Sequence, residues 1–255
     1  MEELYTTWKA IGVAGGDLSF FQDFFVKFYQ AFIEGDRWLQ YLNGVKTTLL
    51  VTALALILGI VLGVLVAMLR TAHDQQRPGH RNPILAVLNL ICKIYVTVIR
   101  GTPMMVQLLI MGFVIFASSR NFTMIGTLTL GINSGAYVSE IVRGGLMSVD
   151  VGQSEASRSL GLGYVDTMRF IVIPQAFKNI LPALGNELIT LFKDTSLVSA
   201  IGGTELVYFA EAVGAKTYEY MFPYVGIAVM YLIIVMLLTW LQGKLERRLR
   251  QSDRR

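Results

Sequence analysis

An uncharged apolar run is the feature that most constrains the fold of this chain. From Thr47 to Leu69 no residue carries a charge. A helix needs about 20 predominantly apolar residues to cross the hydrocarbon core of a bilayer, and a charged side chain inside that core is costly. The run therefore predicts a membrane-spanning helix over residues 45–69. The composition of the whole chain agrees, since 16% of its residues are charged, against about 25% in soluble domains.

Four further apolar blocks predict four further crossings, and therefore an all-α, polytopic membrane protein with five transmembrane helices. The additional spans are predicted over residues 100–117, 124–147, 180–200 and 223–243. On this basis residues 41–246 form the transmembrane domain, between an N-terminal extracytoplasmic segment (1–40) and a basic cytoplasmic tail (247–255).

The second apolar block, from Ile84 to Ala117, is too long for one crossing at about 1.5 Å per residue. Its first half carries polar side chains at helical spacing, namely Asn89, Lys93, Thr97 and Arg100. We therefore expect this half to lie at the cytoplasmic interface or against a partner subunit. Only the second half is predicted to cross, after a bend at Pro103, which lacks a backbone N–H.

The distribution of lysine and arginine predicts the orientation, because these residues concentrate in cytoplasmic loops. The predicted cytoplasmic segments contain Arg70, Arg77, Arg81, Arg158, Arg169, Lys244, Arg247, Arg248, Arg250, Arg254 and Arg255. The alternate loops carry only Arg120 and Lys216. We therefore expect the N-terminus outside and the C-terminus in the cytoplasm.

A short amphipathic helix is predicted over residues 20–33, ahead of the first span. Its phenylalanines fall on one face and its polar residues on the other. The helix is too short to cross a bilayer, so it either lies in the outer membrane interface or packs against the bundle. The sequence leaves both alternatives open.

The loop over residues 150–174, called the elbow below, predicts a compact helix–turn–helix on the cytoplasmic face. Ser154 is a suitable N-cap for a helix from Glu155 to Leu160, and Gly161 and Gly163 permit the chain to turn after it. A second helix is predicted over residues 165–173, before Pro174. With Glu155 and Arg158 exposed, such a projection suits docking into a groove of another protein.

Five residues of the elbow resemble a known motif: Glu155, Ala156, Gly161, Ile171 and Pro174. They match the pattern Glu-Ala-Ala-x3-Gly-x9-Ile-x-Leu-Pro of the membrane permeases of binding-protein-dependent, ATP-driven importers, with Ser157 in place of the second alanine and Ile173 in place of leucine. Residues 100–103, 134–140 and 193–197 resemble signatures of the polar-amino-acid branch of that family. The resemblance extends over residues 41–248.

This resemblance implies a transport subunit of the bacterial cytoplasmic membrane and not an enzyme. Its ATPase-coupling residues would be Glu155, Ala156, Ser157, Arg158, Gly161 and Pro174, which dock into a cytoplasmic ATPase. That ATPase is expected to be a separate chain, because no G-x-x-x-x-G-K-[ST] motif occurs here.

The implied partners are two copies of the ATPase, a second permease chain, an extracytoplasmic amino-acid-binding protein and an amino-acid substrate. Homodimer and heterodimer are equally open. No cofactor is expected on this chain, since ATP and Mg would be bound by the ATPase, and no nucleic acid is expected as a partner.

Polar and ionisable side chains inside spans are rare and mark functional sites. The candidate substrate-binding residues are Asn133, Tyr137, Glu140, Glu187, Thr190, Asp194, Thr195 and Ser196. Acidic groups among them suit an α-amino group. The alternative is an interhelical network without substrate contact; Arg143, one turn after Glu140, would pair with it as a structural or gating charge.

Glycine and serine at four-residue spacing, at Gly131, Gly135 and Ser139, predict a close approach by a neighbouring helix. Gly202 and Gly203, after the fourth span, suit a bent outer segment that acts as a gate.

Other classes of function fit less well. His73 and His80 have no third ligand at a suitable spacing, so no metal site is predicted. A gated channel, or a permease for a different small solute, shares the spans, but a channel gives no reason for the elbow. A membrane-embedded enzyme needs a nucleophile–base pair, which the spans do not provide.

Overall fold

The structure is a computed structural model that describes residues 1–76 and 82–251, without the side chains of Arg250 and Gln251. The predicted all-α architecture is confirmed, since the described residues contain no strand. Within them the α-helices are α1 (Glu2–Val13), α2 (Phe20–Phe32), α3 (Arg37–Asp74), α4 (Pro83–Gly101), α5 (Met104–Ile110), α6 (Phe122–Met147), α7 (Val151–Ser159), α8 (Tyr164–Thr167), α9 (Ile173–Asp194), α10 (Leu206–Thr217) and α11 (Met221–Gln251).

Three helices of the described chain, α3, α4 and α11, have the length and apolar composition of a membrane span. A fourth span results if the helix over Tyr164–Ile201 and the helix α10, which are bent by 46° relative to each other, form one broken crossing. Although α6 has 26 residues, polar residues such as Asn133 and Glu140 make it less apolar than the other spans. The predicted number of five crossings is therefore not established by these helices alone.

The second predicted crossing, 100–117, differs in the structure. The helix breaks at Thr102 and Pro103, where Thr102 adopts the extended conformation that proline imposes on the residue before it. The helix that follows, Met104–Ile115, is shorter than a span, and its last five residues are π-helical. The half that was expected at the interface or against a partner subunit forms α4, whose 19 residues extend for about 28 Å. The helix long enough to cross is therefore α4.

A close contact between α3 and α6 forms the centre of the bundle. A Cβ atom on Gly59 would lie 2.6 Å from the Oγ of Ser134, and one on Gly131 would lie 2.6 Å from Leu58 Cδ2. Gly135 packs in the same way, with Leu62 and the hydroxyl of Tyr95 against it. The close approach predicted for the small-residue face of α6 is confirmed, and its partner is α3.

The helices α1 and α2 form a hairpin that is fastened to the start of α3. Tyr5 stacks on Tyr29 with the ring centroids 4.3 Å apart. The carboxylate of Glu34 accepts hydrogen bonds from Tyr5 Oη at 2.7 Å and Lys9 Nζ at 2.6 Å, and Arg37 Nη1 lies 3.0 Å from its second oxygen. The hydrogen bond to Glu34 raises the pKa of the Lys9 ammonium above its ordinary value of 10.5.

The C-terminal part of α2 packs on the bundle, whereas the residues at its N-terminal end are exposed. Phe24 contacts Phe222 at the start of α11, and Phe32 contacts Tyr41 near the start of α3. Phe20 and Phe21 remain 76% and 81% exposed. Of the two alternatives, packing against the bundle is observed, while the placement of the exposed end in a membrane interface stays a prediction.

The hairpin and the elbow lie at opposite ends of the bundle. The α1–α2 hairpin contacts the first residues of both α3 and α11. At the other end of α3, Gln75 accepts a hydrogen bond from Tyr164 of the elbow. Since α3 is 38 residues long, about 57 Å separate these two ends.

The glycine contact gives a stability prediction. In a Gly59→Leu variant the added side chain would overlap Ser134, so we expect the free energy of unfolding to fall by about 1–3 kcal/mol, the usual cost of overpacking. The melting temperature of the purified protein in detergent measures the change. Gly243→Leu is the matched control, because a Cβ atom at Gly243 meets nothing within 4 Å; equal melting temperatures for the two variants would contradict the close packing.

Candidate coupling elbow and translocation site

The first helix of the elbow begins earlier than predicted. Asp150 is its N-cap, and its carboxylate accepts a hydrogen bond from the Gly152 N–H at 2.6 Å. The predicted cap, Ser154, lies inside α7, where its carbonyl accepts a hydrogen bond from Ser157 Oγ at 3.0 Å. Both residue types are good N-caps, and the more N-terminal one starts the helix.

A left-handed glycine ends this helix. Gly161 has φ +87°, its N–H donates to the carbonyl of Arg158, and the next N–H, of Leu162, donates to the carbonyl of Ser157. This is the arrangement that satisfies the last carbonyls of a helix and reverses the chain. The predicted role of Gly161 is confirmed, whereas Gly163 is extended and precedes α8.

The predicted second helix of the elbow is present, since residues 164–172 are helical, and it continues beyond Pro174. From α8 the chain continues through a π-helical turn, Met168–Val172, directly into α9. Pro174 lies in the first turn of α9, where the widened turn before it accommodates a residue that cannot donate a backbone hydrogen bond. The elbow is therefore continuous with the helix that carries the candidate residues of the fourth predicted span.

Ser157 joins the two arms of the elbow. Its side chain is buried, and its Oγ lies 2.9 Å from the Oγ1 of Thr167, which is also buried. Alanine at this position, as in the resembling motif, has no hydroxyl to make this bond. The departure from the motif thus adds a contact within the elbow.

The remaining coupling candidates lie on the surface. These five residues are exposed: Glu155, Ala156, Arg158, Gly161 and Pro174. Two apolar side chains of the same projection, Val151 and Leu160, are 69% and 84% exposed. Exposed charges next to exposed apolar groups are typical of a surface that another protein covers.

Glu140 is held by two arginines at the elbow end of α6. Arg70 of α3 donates to its Oε1, and Arg143 Nη2 lies 3.7 Å from its Oε2. Arg143 also lies 4.0 Å from Asp74. The ion pair that was predicted with Arg143 is present, and the closer pair with Arg70 was missed, because Arg70 drew attention only as an indicator of orientation.

The other two candidates on α6 also contact neighbouring helices. Asn133 Nδ2 donates to Gln107 Oε1 at 3.0 Å, and Gln107 in turn donates to the carbonyl of Ile99 at 2.7 Å. The guanidinium of Arg100 lies 5.2 Å from the ring centroid of Tyr137. These contacts tie α6 across the break between α4 and α5.

The candidates on and after α9 divide into two groups. Glu187 and Asp194 are seven residues apart and share one face of the helix, with the exposed Thr190 beside them. Thr195 is fully buried and donates to the carbonyl of Phe192 at 2.7 Å, while Ser196 donates to the carbonyl of Lys193 at 2.7 Å. In the described part of the chain no hydrogen bond joins these residues to Asn133, Tyr137 or Glu140.

Glu205 is a buried polar residue that the sequence did not single out. Its side chain is fully buried at the bend before α10, where it accepts hydrogen bonds from the Tyr208 N–H at 3.0 Å and from Tyr231 Oη at 3.1 Å. The predicted bend is present, and Gly202 enters it with φ +88°. An acidic residue two positions after the pair Gly202–Gly203 was the available signal.

No group of three metal-ligating side chains occurs within residues 1–76 and 82–251. His73 instead lies 3.0 Å from Asn89 Nδ2. His80, together with Arg77, Arg81, Arg254 and Arg255, lies outside the described residues.

Residues 84–251 match the family described as the binding-protein-dependent transport system inner membrane component. A putative glutamine transport system permease protein of Rickettsia typhi is 35% identical over 229 residues, which cover 89% of this chain and 97% of that protein. The arginine transport system permease protein of Bacillus subtilis is 37% identical over 185 residues, covering 67% of this chain and 84% of that protein.

Among solved structures, the crystal structure of an amino acid ABC transporter with histidines superposes with a TM-score of 0.74 at 39% sequence identity, covering 82% of this chain and 94% of that one. An inward-facing methionine ABC transporter superposes with a TM-score of 0.70 at 22% identity, covering 85% and 99%. The second likeness concerns the fold alone.

A mutant cycle distinguishes the two roles left open for Glu140, a structural charge and a substrate contact. We expect Glu140→Gln to lower the free energy of unfolding by about 1–3 kcal/mol, because Arg70 loses its partner in a largely buried position, and Arg70→Gln/Glu140→Gln to be more stable than Glu140→Gln alone. Melting temperatures measure this, with Glu155→Gln as the exposed control. A Glu140→Gln variant with unchanged stability and weakened substrate affinity would instead identify Glu140 as a substrate contact.

Proposed function

The chain belongs to the family of inner membrane components of binding-protein-dependent transport systems, and on this premise we propose that it imports polar amino acids as the permease subunit of an ABC importer. It is a transport subunit and not an enzyme. The observation that carries the proposal is the continuity of the exposed elbow with α9, because a force applied to the elbow reaches the candidate substrate residues without a flexible linker.

In the proposed mechanism a cytoplasmic ATPase binds the surface formed by α7 and the turn after it. Exposed Val151 and Leu160 provide apolar contact area there, and Glu155 and Arg158 provide charge. ATP and Mg would be bound by that ATPase. When its nucleotide-binding halves close, the displacement enters through α7 and passes to α8 through the Ser157–Thr167 hydrogen bond.

A second route leads from the elbow to the centre of the bundle. Tyr164 donates to Gln75 at the end of α3. Because α3 is in close contact with α6 at Gly59 and Gly131, neither helix can shift far without the other. In this proposal α3 and α6 respond together, and α9 responds through the elbow.

The polar face of α4 supports a second permease chain as a partner. Lys93, Thr97 and Arg100 are exposed on a helix of span length, and charged side chains are costly against lipid. A protein surface therefore suits this face better than hydrocarbon. The proposed complex contains two permease chains, identical or different, two copies of the ATPase and an extracytoplasmic binding protein.

The proposed orientation places the elbow in the cytoplasm and the α1–α2 hairpin outside. The described basic residues Arg70, Arg158, Arg169 and Lys244 belong to segments that the positive-inside rule assigns to the cytoplasm. The hairpin lies at the other end of α3. With this orientation the basic tail meets the anionic inner leaflet.

We place the substrate site on the face of α9 that carries Glu187 and Asp194. Carboxylates there would attract the α-amino group of an amino acid, and the hydroxyls of Thr190 and Ser196 would serve as neighbouring polar contacts. Asn133 and Tyr137 are the proposed contributions of α6. Glu140, held by two arginines, is assigned the structural role.

Cross-linking tests the proposed docking surface. In a Cys92→Ser background, a cysteine replacing Leu160, which is 84% exposed, is expected to form a cross-link with the ATPase chain in the purified complex. The control is a cysteine replacing Tyr218, which is 91% exposed on the short connection before α11, at the hairpin end. Equal capture by both positions, or capture by the control alone, would refute docking at the elbow.

The substrate site is tested by Asp194→Asn. Loss of this carboxylate should weaken uptake of an amino acid substrate about tenfold, as expected for a lost charged hydrogen bond of about 1.5 kcal/mol, while the complex still assembles. Radiolabelled uptake into proteoliposomes measures the effect, and Asp17→Asn, an exposed carboxylate before α2, is the control. Unchanged uptake and affinity would remove Asp194 from the site.

A further inference from the structure

An apolar groove runs along the outside of the bundle and ends at the elbow. It has a volume of about 560 Å³ and is lined by α3, α6, α8 and α9. Along α3 its lining residues extend from Ile60 to Ala72, a length of about 18 Å. This is close to the thickness of one leaflet of the hydrocarbon core, about 15 Å.

A second cavity of opposite character adjoins the groove. It has a volume of about 270 Å³ and is lined by Gln75, Ser154, Arg158, Tyr164, Thr167 and Met168. Tyr164 and Met168 line both cavities, and Arg169 lines the elbow end of the groove. A long apolar groove, lined at its elbow end by Arg169, therefore adjoins a polar pocket lined by Arg158.

The two arginines are available for an anion. Arg158 uses Nε to donate to the Ser154 carbonyl at 3.3 Å, and its terminal nitrogens have no partner in the described part of the chain. The guanidinium of Arg169 lies 5.4 Å from the ring centroid of Phe170, and it makes no hydrogen bond or ion pair within residues 1–76 and 82–251. None of the residues that line either cavity is acidic. Glu155 and Asp166 are exposed on neighbouring turns, and Asp74 is paired with Arg143.

We propose that the groove and the pocket together bind one phospholipid of the cytoplasmic leaflet with an anionic headgroup. An acyl chain occupies the groove, and the phosphate lies where the two cavities meet, between Arg158 of the pocket and Arg169 of the groove. Guanidinium groups suit phosphate because they donate several parallel hydrogen bonds, and basic pockets at this depth attract anionic lipids. The bound lipid bridges α3 and the elbow, and so it supports the surface on which the ATPase docks.

This inference rests on the proposed function only for the cytoplasmic position of the elbow. The test of this inference measures lipid retention, whereas the proposed function is tested by transport. Failure of the lipid site can therefore be distinguished from failure of the proposed function. The purified permease–ATPase complex is loaded with phosphatidylglycerol or with phosphatidylcholine, and the retained lipid is counted by native mass spectrometry. We expect retention of phosphatidylglycerol in preference to phosphatidylcholine.

Variants locate the binding site. Arg169→Gln should lower phosphatidylglycerol retention about fivefold, since one basic group near the membrane surface contributes about 1 kcal/mol. Arg120→Gln removes the same charge from an exposed position remote from the elbow and should leave retention unchanged. Ala72→Trp, which fills the groove, should lower the retention of both lipids.

Further measurements distinguish a lipid phosphate from free phosphate, and a lipid from a second permease chain in the groove. We expect inorganic phosphate not to displace the lipid. If phosphate displaces it and Ala72→Trp retains lipid like the wild type, the site binds an anion without an acyl chain, and the proposal is overturned. Equal retention in Arg169→Gln and Arg120→Gln would also overturn it. So would a wild-type complex that retains no lipid because a second permease chain covers the groove.

Discussion

The contact between α3 and α6 is the constraint on which the rest of this structure depends. Glycines remove the side chains that would otherwise separate the two helices, so their backbones approach closely, and packing over this length provides the attraction that the hydrophobic effect does not supply between helices in lipid. This contact also brings Arg70 of one helix to Glu140 of the other. The pair neutralises two charges that would be costly near the membrane if either stood alone.

The importance of the elbow comes from its connections to α9 and to the end of α3, which is packed against α6. Its first arm ends at a left-handed glycine, and its second arm runs through a π-helical turn into α9 without interruption. Side-chain bonds tie the arms to each other and to the end of α3. A partner that moves the elbow therefore acts on a long helix directly and on the central pair indirectly, which is the mechanical property that a permease driven from outside its own chain requires.

Features set by local chemistry were predictable, and features set by distant contacts were not. The small-residue face of α6, the break at Pro103 and the turn at Gly161 each follow from the backbone properties of one residue type. The start of α7 was misplaced because Asp150 and Ser154 are equally good caps in isolation. The bond between Arg70 and Glu140 joins residues 70 positions apart, and no periodic pattern in the sequence indicates such a pair. Glu187, Thr190 and Asp194 share one face of α9, whereas the burial of Thr195 depends on the helices packed around it.

The buried carboxylate of Glu205 fastens several helices to one another at the hairpin end of the bundle. It binds the first turn of α10 and the hydroxyl of Tyr231 on α11, while the adjacent N–H of Leu206 donates to Thr48 of α3 at 3.2 Å. The helix α10 is thus anchored to α3 and α11, and the chain reaches it from α9 through a 3₁₀ helix, Thr195–Ile201, and a short segment that begins at Gly202. A displacement of α9 along its axis would bend the chain at that glycine, while α10 stays fixed to α3 and α11.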